Sequence, residues 1–569
     1  MAQDRNGLTR SEFIMLTGAA LPGIALARGA GGPALVADTI LVGGKVLTVD
    51  PGDTQAQAVA VRDGLVMQTG TDAAIRALAG PTTRVIELKG RTVTPGFVDP
   101  HNHFQLFGLC GTYYTPFVPP AVKSITDLKA ALVPVIAATP AGQWINGYYW
   151  MAEIPNRHDL DPISPDHPVF VFHQGGHYGS ANSRALEIAG ITGATESPTG
   201  GIIEKDSFGE PTGVLFNHRA MDLLRRYIPP FTEDDVRHSL LWTQKTFAAL
   251  GVTSFQDVNI RGDDIRLYQE LYKEATLYLR GDLYYTLEYP NDLDKALNGI
   301  EFYQDAFTRV PGYKFLIDGQ GPTAYCHEPH NGISWDMPTW EPSSFKQTLR
   351  TLHDTGRQIC VHCIGDAAVD LALDAYEEAL NANPRADARH RIEHCILSTT
   401  DATARIKDLG VVISTNPGFI RTAGDGWVSL FGAERCQRAV VLREWLDAGI
   451  PVAIGSDTPT CPLYTPQSTL ATAMARSTAT NVVIGPDQCL TFGEALRAHT
   501  IGAAYAAHEE TIKGSLEAGK LADLAVWTRD PTTLTPNQLW NTTVDMTMVG
   551  GRIVYPLTRE PRRHLERAG

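Results

Sequence analysis

Short apolar segments recur along the central part of the chain, and longer segments with helical spacing of apolar positions follow them. After Asp366, for example, the sequence AAVDLALDAYEEAL has this spacing, and Asp366 suits the N-cap of the helix. A repeated order of strand and helix predicts an α/β fold of the (β/α)8 barrel type. The eight predicted strands cover residues 92–98, 252–257, 278–285, 313–318, 358–363, 391–395, 411–415 and 452–456.

The gap between the first two predicted strands is far longer than the later ones, which predicts a large insertion at about residues 106–230. Within it, residues 200–215 resemble a hairpin, and residues 173–186 resemble a strand, a glycine-rich turn and the start of a helix. Loops that follow barrel strands lie over the active site in such folds. The insertion is therefore a candidate lid and substrate wall.

The most informative segment is TPGFVDPHNHF, residues 94–104, in which the predicted strand enters a turn at Asp99. His101 and His103 are two positions apart, so their side chains point the same way and can bind one metal ion. Later strands carry further candidate ligands in them or at their ends, where barrel enzymes place catalytic groups. The full candidate metal set is His101, His103, Lys314, His362, His394 and Asp457.

Each candidate also has a structural alternative. Lys314 could be a surface charge, and Asp457 could begin a turn before Pro459. Alternatively, Asp457 acts as a general base that must lie within hydrogen-bond reach of its proton. On the insertion, His177 and Asn182 fit either a substrate contact or a glycine turn with a cap. Weaker candidates for a site contact are Glu204, Tyr325, His327 and His330. An apolar pocket wall, or alternatively ordinary core, could include Tyr148, Tyr149, Trp150, Trp335 and Trp340.

From about Asp38 to Tyr555 the chain resembles the amidohydrolase superfamily, most closely its branch of N-substituted formamide deformylase-like enzymes of the amidohydrolase-3 type. The resemblance rests on the order and spacing of PGFVDPHNH (95–103), GHYGSANS (176–183), GVTSFQD (251–257), KFLIDG (314–319), HCIGD (362–366), RIEH (391–394), GSD (455–457) and GSLEAGKLAD (514–523). It implies a barrel over residues 91–510. It also implies a small split β-sandwich built from residues 38–90 and 511–569.

The same resemblance implies a site with two divalent metal ions, with zinc as the expected metal. His101, His103 and Asp457 would hold the first ion, and His362 and His394 the second. Lys314, carboxylated on Nζ, would bridge the two ions. His177 would lie near the substrate, and Asp457 would carry the proton.

The implied activity is hydrolysis of a C–N bond, in an amide or N-formyl group, with metal-activated water as the nucleophile. The alternatives are an ester, lactone, carbamate or cyclic amide substrate, and a non-hydrolytic isomerase or lyase that uses the metal as a Lewis acid. A catalytically inactive binding protein is disfavoured by the intact ligand set. The expected partner is a small-molecule substrate, and homo-oligomerisation stays open.

Composition and charge restrict the partners. The 569 residues carry a net charge of −15 with no long basic run, which argues against nucleic acid. No apolar run reaches the roughly 18 residues of a membrane span. Residues 1–37 form a leader or signal segment that resembles a twin-arginine signal in which Ser11 replaces the second arginine. The protein is therefore expected in the cytoplasm, or in the periplasm if this leader directs export.

Overall fold

The computed structural model describes residues 36–118, 121–150, 153–331 and 338–555, with the backbone alone at residues 149 and 150. The expected leader, residues 1–37, lies outside this part except for its last two residues. Among the described residues, no helix is long and apolar enough to cross a bilayer.

Eight parallel strands form the central sheet, and their order around the sheet follows their order in the chain. This confirms the (β/α)8 barrel. The strands are joined by helices such as Asp366–Ala382, whose apolar face is buried against the strands. The barrel strands are Phe97–Asn102, Val252–Ile260, Arg280–Leu287, Thr308–Leu316, Gln358–Cys363, Arg391–His394, Val412–Thr415 and Val452–Ile454.

The first and last barrel strands meet at their carboxyl ends. The Asp457 N–H donates to the His101 carbonyl at 2.8 Å, and the His103 N–H donates to the Thr458 carbonyl at 2.8 Å. These bonds fasten the two histidines and Asp457 to one another through the backbone. The barrel is therefore closed between its first and last strands at the end where the candidate ligands lie.

The strand predicted over residues 92–98 is wrong in one respect, because the structure divides it into Thr92–Pro95 and Phe97–Asn102. Gly96 separates the two, and a Cβ there would lie only 2.2 Å from Thr253 Cγ2. The chain does not turn at Asp99 either, since the second strand continues to Asn102. The buried Asp99 carboxylate instead accepts hydrogen bonds from the Ser456 N–H and hydroxyl.

The predicted N-cap of the helix after the fifth barrel strand also differs. Gly365 is the N-cap, and Asp366 is the first helical residue. The Asp366 carboxylate is engaged elsewhere, because it accepts from the His327 N–H at 3.0 Å and pairs with Arg435 at 2.8 Å. The carboxylate also accepts from the Ala367 N–H at 3.0 Å, so it is shared between the start of its own helix and tertiary partners.

A β-sandwich beside the barrel joins both ends of the chain. Its strand Thr92–Pro95 pairs antiparallel with Leu524–Trp527, and residues from both ends, such as Leu41 and Met548, share one buried cluster. One sheet contains Leu65–Gly70, Ala58–Arg62, Ala37–Val42 and Ala79–Glu87 in that order. The other contains Arg552–Tyr555, Val544–Val549, Leu524–Trp527, Thr92–Pro95, Lys45–Leu47 and Gln55–Ala56.

The long segment between the first two barrel strands folds around a sheet of its own. Its hairpin pairs Ile202–Lys205 with Pro211–Phe216, close to the predicted one. The remaining strands of this sheet are Tyr178–Ala181, Val169–His173, Ile145–Trp150 and Thr115–Pro116. The helices between the first two barrel strands are Phe104–Thr112, Ile125–Ala138, Arg157–Leu160, Ser183–Ala189, Asn217–Arg225 and Glu233–Ala249.

A short helix, Asp72–Arg76, precedes the barrel, and the other remaining helices follow later barrel strands. The longer ones on the barrel are Gly262–Lys273, Leu293–Asn298, Pro342–His353, Asp366–Ala382, Thr400–Asp408, Gly418–Phe431, Leu442–Asp447, Pro466–Ala475 and Phe492–Ala498.

Candidate metal centre

Three candidate ligands converge at the mouth of the barrel. One ligand atom from each of His101, His103 and Asp457 lies within 4.8 Å of the other two. Asp457 Oδ1 is 3.4 Å from His101 Nε2 and 3.2 Å from His103 Nε2. His101 and Asp457 are fully or almost fully buried, and His103 is partly buried.

The remaining candidates lie beside this group. The ring of His394 is 4.5 Å from that of His101 and 4.6 Å from that of His362, measured between ring centroids. Lys314 is buried and lines the same cavity. The structure therefore brings all six candidate residues to one end of the barrel.

Left-handed backbone at two strand ends helps to aim these side chains. His394 has φ = 69° and Asp457 has φ = 52°, where few residues other than glycine are found. In a regular strand, neighbouring side chains point to opposite faces. The turn at His394 allows both Glu393 and His394 to reach the centre.

The inner histidines, His362 and His394, each have a polar partner at the ring nitrogen Nδ1. His362 Nδ1 is 2.8 Å from Asp318 Oδ1, and His394 Nδ1 is 2.8 Å from Asn416 Oδ1. Burial raises the pKa of Asp318 to about 8, while backbone N–H donors act to lower the pKa. In its ionised form the Asp318 carboxylate can only accept, and it then holds the proton of His362 on Nδ1. His362 Nε2 then presents a lone pair, as metal ligation requires.

His101 is held in the same way by a buried ion pair. His101 Nδ1 hydrogen-bonds to Glu393 Oε2. Arg391 Nε donates to Glu393 Oε1 at 2.6 Å, and Arg391 Nη2 donates to Oε2 at 2.9 Å. Arg391 Nη2 also donates to the Pro100 carbonyl at 2.7 Å, beside His101 in the chain. Both Arg391 and Glu393 are completely buried.

The donor set fits a divalent transition metal. Imidazole nitrogens and a carboxylate oxygen are the ligands that zinc takes in catalytic sites. His101 Nε2 and Asp457 Oδ1 are buried without a hydrogen-bond partner among the described residues. Buried polar atoms are almost always satisfied, so two unsatisfied ones that face each other are consistent with an ion between them.

Burial also sets the charge state that a metal would meet. It lowers the pKa of His362 and of His394 to about 3 each, which favours the neutral, ligating imidazole. Burial likewise lowers the pKa of Lys314. For Asp457, burial acts to raise the pKa, but contacts with His101 and His103 hold the pKa below its usual range.

A cavity of about 500 Å³ opens from these residues towards solvent. The barrel supplies its floor, and the insertion supplies one wall, which includes Tyr148, His177 and His218. The ring of His177 lies 4.8 Å from that of His362. His177 is thus a residue of the insertion that lies next to the candidate ligand His362.

The other candidates from the sequence lie elsewhere. Asn182 caps the helix Ser183–Ala189, because its side chain accepts from the Ala185 N–H. Trp340 packs against Phe315 and Phe345 in the core. Glu204, Tyr325, His327 and His330 are not among the residues that line the cavity. Trp335 and the side chains of Tyr149 and Trp150 lie outside the described residues.

The sequence model of the amidohydrolase family matches residues 84–555, which include the barrel, the insertion and the candidate metal centre. The chain belongs to the amidohydrolase family.

Relatives of this amidohydrolase share nearly its whole length. N-substituted formamide deformylase from Arthrobacter pascens is 30% identical over 555 residues, which cover 92% of this chain and 99% of the relative. The crystal structure of an uncharacterized metal-dependent hydrolase from Pyrococcus horikoshii OT3 is 25% identical and superposes with a TM-score of 0.70, covering 88% of this chain and 99% of that one.

A more distant structure shares the fold alone. Atrazine chlorohydrolase TrzN from Arthrobacter aurescens TC1, solved in complex with zinc, has a TM-score of 0.55 at 14% identity, covering 91% of this chain and 95% of its own. Together, the family match and the relatives support a metal-dependent hydrolase.

Sequence reasoning missed several residues of this amidohydrolase site. Glu393, Asp318 and Asn416 contact the histidines from behind, and His218 lines the cavity. A signal existed for Glu393, because Arg391 and Glu393 are opposite charges two positions apart in an apolar strand. Such a pair on one face of a buried strand indicates a buried ion pair.

Proposed function

We propose that this amidohydrolase cleaves a C–N bond, in an amide or an N-formyl group, with the help of divalent metal. The observation that carries the proposal is the convergence of His101, His103 and Asp457 within 4.8 Å at the mouth of the barrel. The C–N specificity is supported by the 30% identity to a deformylase over almost the whole chain.

His101, His103 and Asp457 would hold one ion, and His362 and His394 would hold a second, with zinc as the expected metal for both. A bound metal of this kind makes water nucleophilic at neutral pH and polarises the substrate carbonyl. Lys314 would bridge the two ions as a carbamate. Burial favours its neutral amine, which can add to the carbon of CO2 and lose one N–H proton.

Asp457 would take the proton of the attacking water and return it to the departing nitrogen. Its position supports this role, because its carboxylate lies between two histidines at the cavity floor. His177 would contact the substrate from the insertion side. The aromatic side chains of the wall, such as Tyr148 and Phe172, would restrict access of bulk water.

Metal analysis combined with a hydrolysis assay tests the proposal. We expect one to two equivalents of zinc per chain and release of formate and amine from simple N-alkylformamides, with uptake of one water by mass. His394→Ala should lose metal and turnover together. An isomerised or dehydrated product, or full metal and full turnover in His394→Ala, would contradict the proposal.

Carboxylation of Lys314 has its own test. Lys314→Ala should lose metal and activity, because the bridge is gone. Short carboxylates such as acetate should restore part of both, since they can occupy the bridging position. The exposed Lys407→Ala serves as the matched control and should not respond to acetate. Intact-protein mass that shows no added CO2 in the zinc-loaded wild type, together with no rescue, would contradict the bridge.

A further inference from the structure

The wall that faces the metal centre carries polar groups that the proposed reaction does not use. His218 and Arg225 come from the helix Asn217–Arg225 of the insertion, and Glu288 directly follows the third barrel strand. All three line the cavity. Their chemistry therefore bears on what the substrate carries besides its scissile bond.

Arg225 determines which nitrogen of His218 carries the proton. Arg225 Nη1 lies 3.2 Å from His218 Nδ1. A guanidinium can only donate, so Nδ1 must accept and the ring proton must be on Nε2. Burial lowers the pKa of His218; Glu288 acts to raise this pKa and Arg225 to lower it. His218 Nε2–H has no hydrogen-bond partner among the residues that the structure describes, so it is a donor without an acceptor in the cavity wall.

Two charged groups of this wall, Arg225 and Glu288, are already paired. Arg225 forms an ion pair with Asp222 at 3.1 Å, and Glu288 forms one with Arg261 at 2.7 Å. Arg226 also lines the cavity and forms no ion pair among the described residues, but at the positions of Arg225 and Glu288 each charge is already compensated. A charged substituent would lose its hydration there without gaining an ionic partner.

The location separates this region from the reacting centre. The ring of His177 lies 4.8 Å from that of His362 and 5.4 Å from that of His218. The side chain of His177 thus lies between His218 and the candidate metal ligand His362. A group that reaches His218 lies away from the scissile C–N bond.

We propose that His218 and Glu288 form a subsite for a second polar but uncharged group of the substrate, such as a hydroxyl or a further amide. The His218 Nε2–H donates to its oxygen, and the Glu288 carboxylate accepts from its O–H or N–H. This deepens the proposed function, on which it rests. It names the substrate class as amides or formamides that carry such a group.

A pair of ligands of equal size tests the subsite. N-(3-hydroxypropyl)formamide and N-butylformamide differ by one hydroxyl in place of a methyl group. The dissociation constants of both are measured by calorimetry with the zinc-loaded Asp457→Asn protein, in which slow hydrolysis leaves the ligands intact, and kcat/KM is measured for both with Asp457 present. We expect the hydroxyl compound to bind about fivefold more tightly, which corresponds to one net hydrogen bond. Analogues with an ammonium or carboxylate group at that end should bind more weakly than either.

Variants at His218 assign the preference to this residue. His218→Leu should bring the ratio of the two dissociation constants close to one, whereas His218→Gln, which keeps an N–H donor, should retain part of the preference. His158→Leu, an exposed histidine of the same insertion, should leave the ratio unchanged. Melting temperature and zinc content of each variant show whether it is folded and loaded.

The subsite would be overturned if the ratio of the two dissociation constants were near one with His218 present. It would also be overturned if the preference for the hydroxyl compound persisted in a folded His218→Leu protein. A failure of the proposed function gives a different result. In that case neither formamide is hydrolysed, while the binding ratio still reports on His218.

Discussion

Asp457→Asn should lower turnover by about 10²–10⁴, the usual contribution of general acid–base catalysis. Asparagine has nearly the size of aspartate and keeps one ligating oxygen, but it cannot accept the proton of water. Asp457 Oδ1 lies 3.2 Å from His103 Nε2 at the floor of the cavity, so the lost group is at the reacting centre. Metal content should fall only modestly, and KM should change little, because the cavity walls are intact.

The measurement is steady-state hydrolysis of a simple formamide together with elemental analysis of the same sample. Asp263→Asn, an exposed aspartate on the helix Gly262–Lys273, provides the matched control and should behave as the wild type. If Asp457→Asn retained near-normal turnover with full metal, Asp457 would not be the proton carrier. A Lewis-acid isomerase would then explain the site better.

Glu393→Ala should destabilise the folded protein by about 3–5 kcal/mol, because it leaves the buried Arg391 guanidinium without its anion. Arg391 makes two hydrogen bonds to Glu393, and both residues are fully buried. The same change frees His101 Nδ1 from its acceptor. We therefore also expect a 10–100-fold loss of metal affinity, as is typical when a partner behind a ligating histidine is removed.

Glu393→Gln separates the two effects. Its amide oxygen can still accept from Arg391, so most of the stability should return. Its NH2 group can donate to His101 Nδ1, which would place the His101 proton on Nε2 and impair ligation. Urea unfolding of the metal-free proteins and competition titration with a zinc chelator give the two readouts, with exposed Glu434→Ala as control. Equal zinc affinity in Glu393→Gln and wild type would show that Glu393 only stabilises the fold.

The barrel was predictable because its signals are local. Each strand is a short apolar segment, and His362, His394 and Asp457 lie in or just after such segments. The carboxyl ends of parallel strands meet at one end of a barrel, so residues more than 350 positions apart, such as His101 and Asp457, were expected to lie close together. Their position at one end of the barrel followed from the strand pattern, whereas the grouping of His101, His103 and Asp457 on one ion was implied by the resemblance to the amidohydrolase superfamily.

The partners behind the ligands depend on packing between distant segments. Glu393 lies 292 positions from His101, and no local pattern predicts their contact. The division of the first predicted strand at Gly96 depends on the position of Thr253 in the neighbouring strand. Asp366 satisfied every local rule for an N-cap, yet an ion pair with Arg435 engages its carboxylate. In each case a tertiary contact outweighed a local preference.

The pairing of Thr92–Pro95 with Leu524–Trp527 also limits when the β-sandwich can form during synthesis on the ribosome. Synthesis at roughly 5–20 residues per second places about 20–90 seconds between the two strands. During that interval one edge of Thr92–Pro95 lacks its native neighbour, and an unpaired edge is a template for association with other chains. This edge therefore stays open to other chains until Leu524–Trp527 has been synthesised and has paired with it.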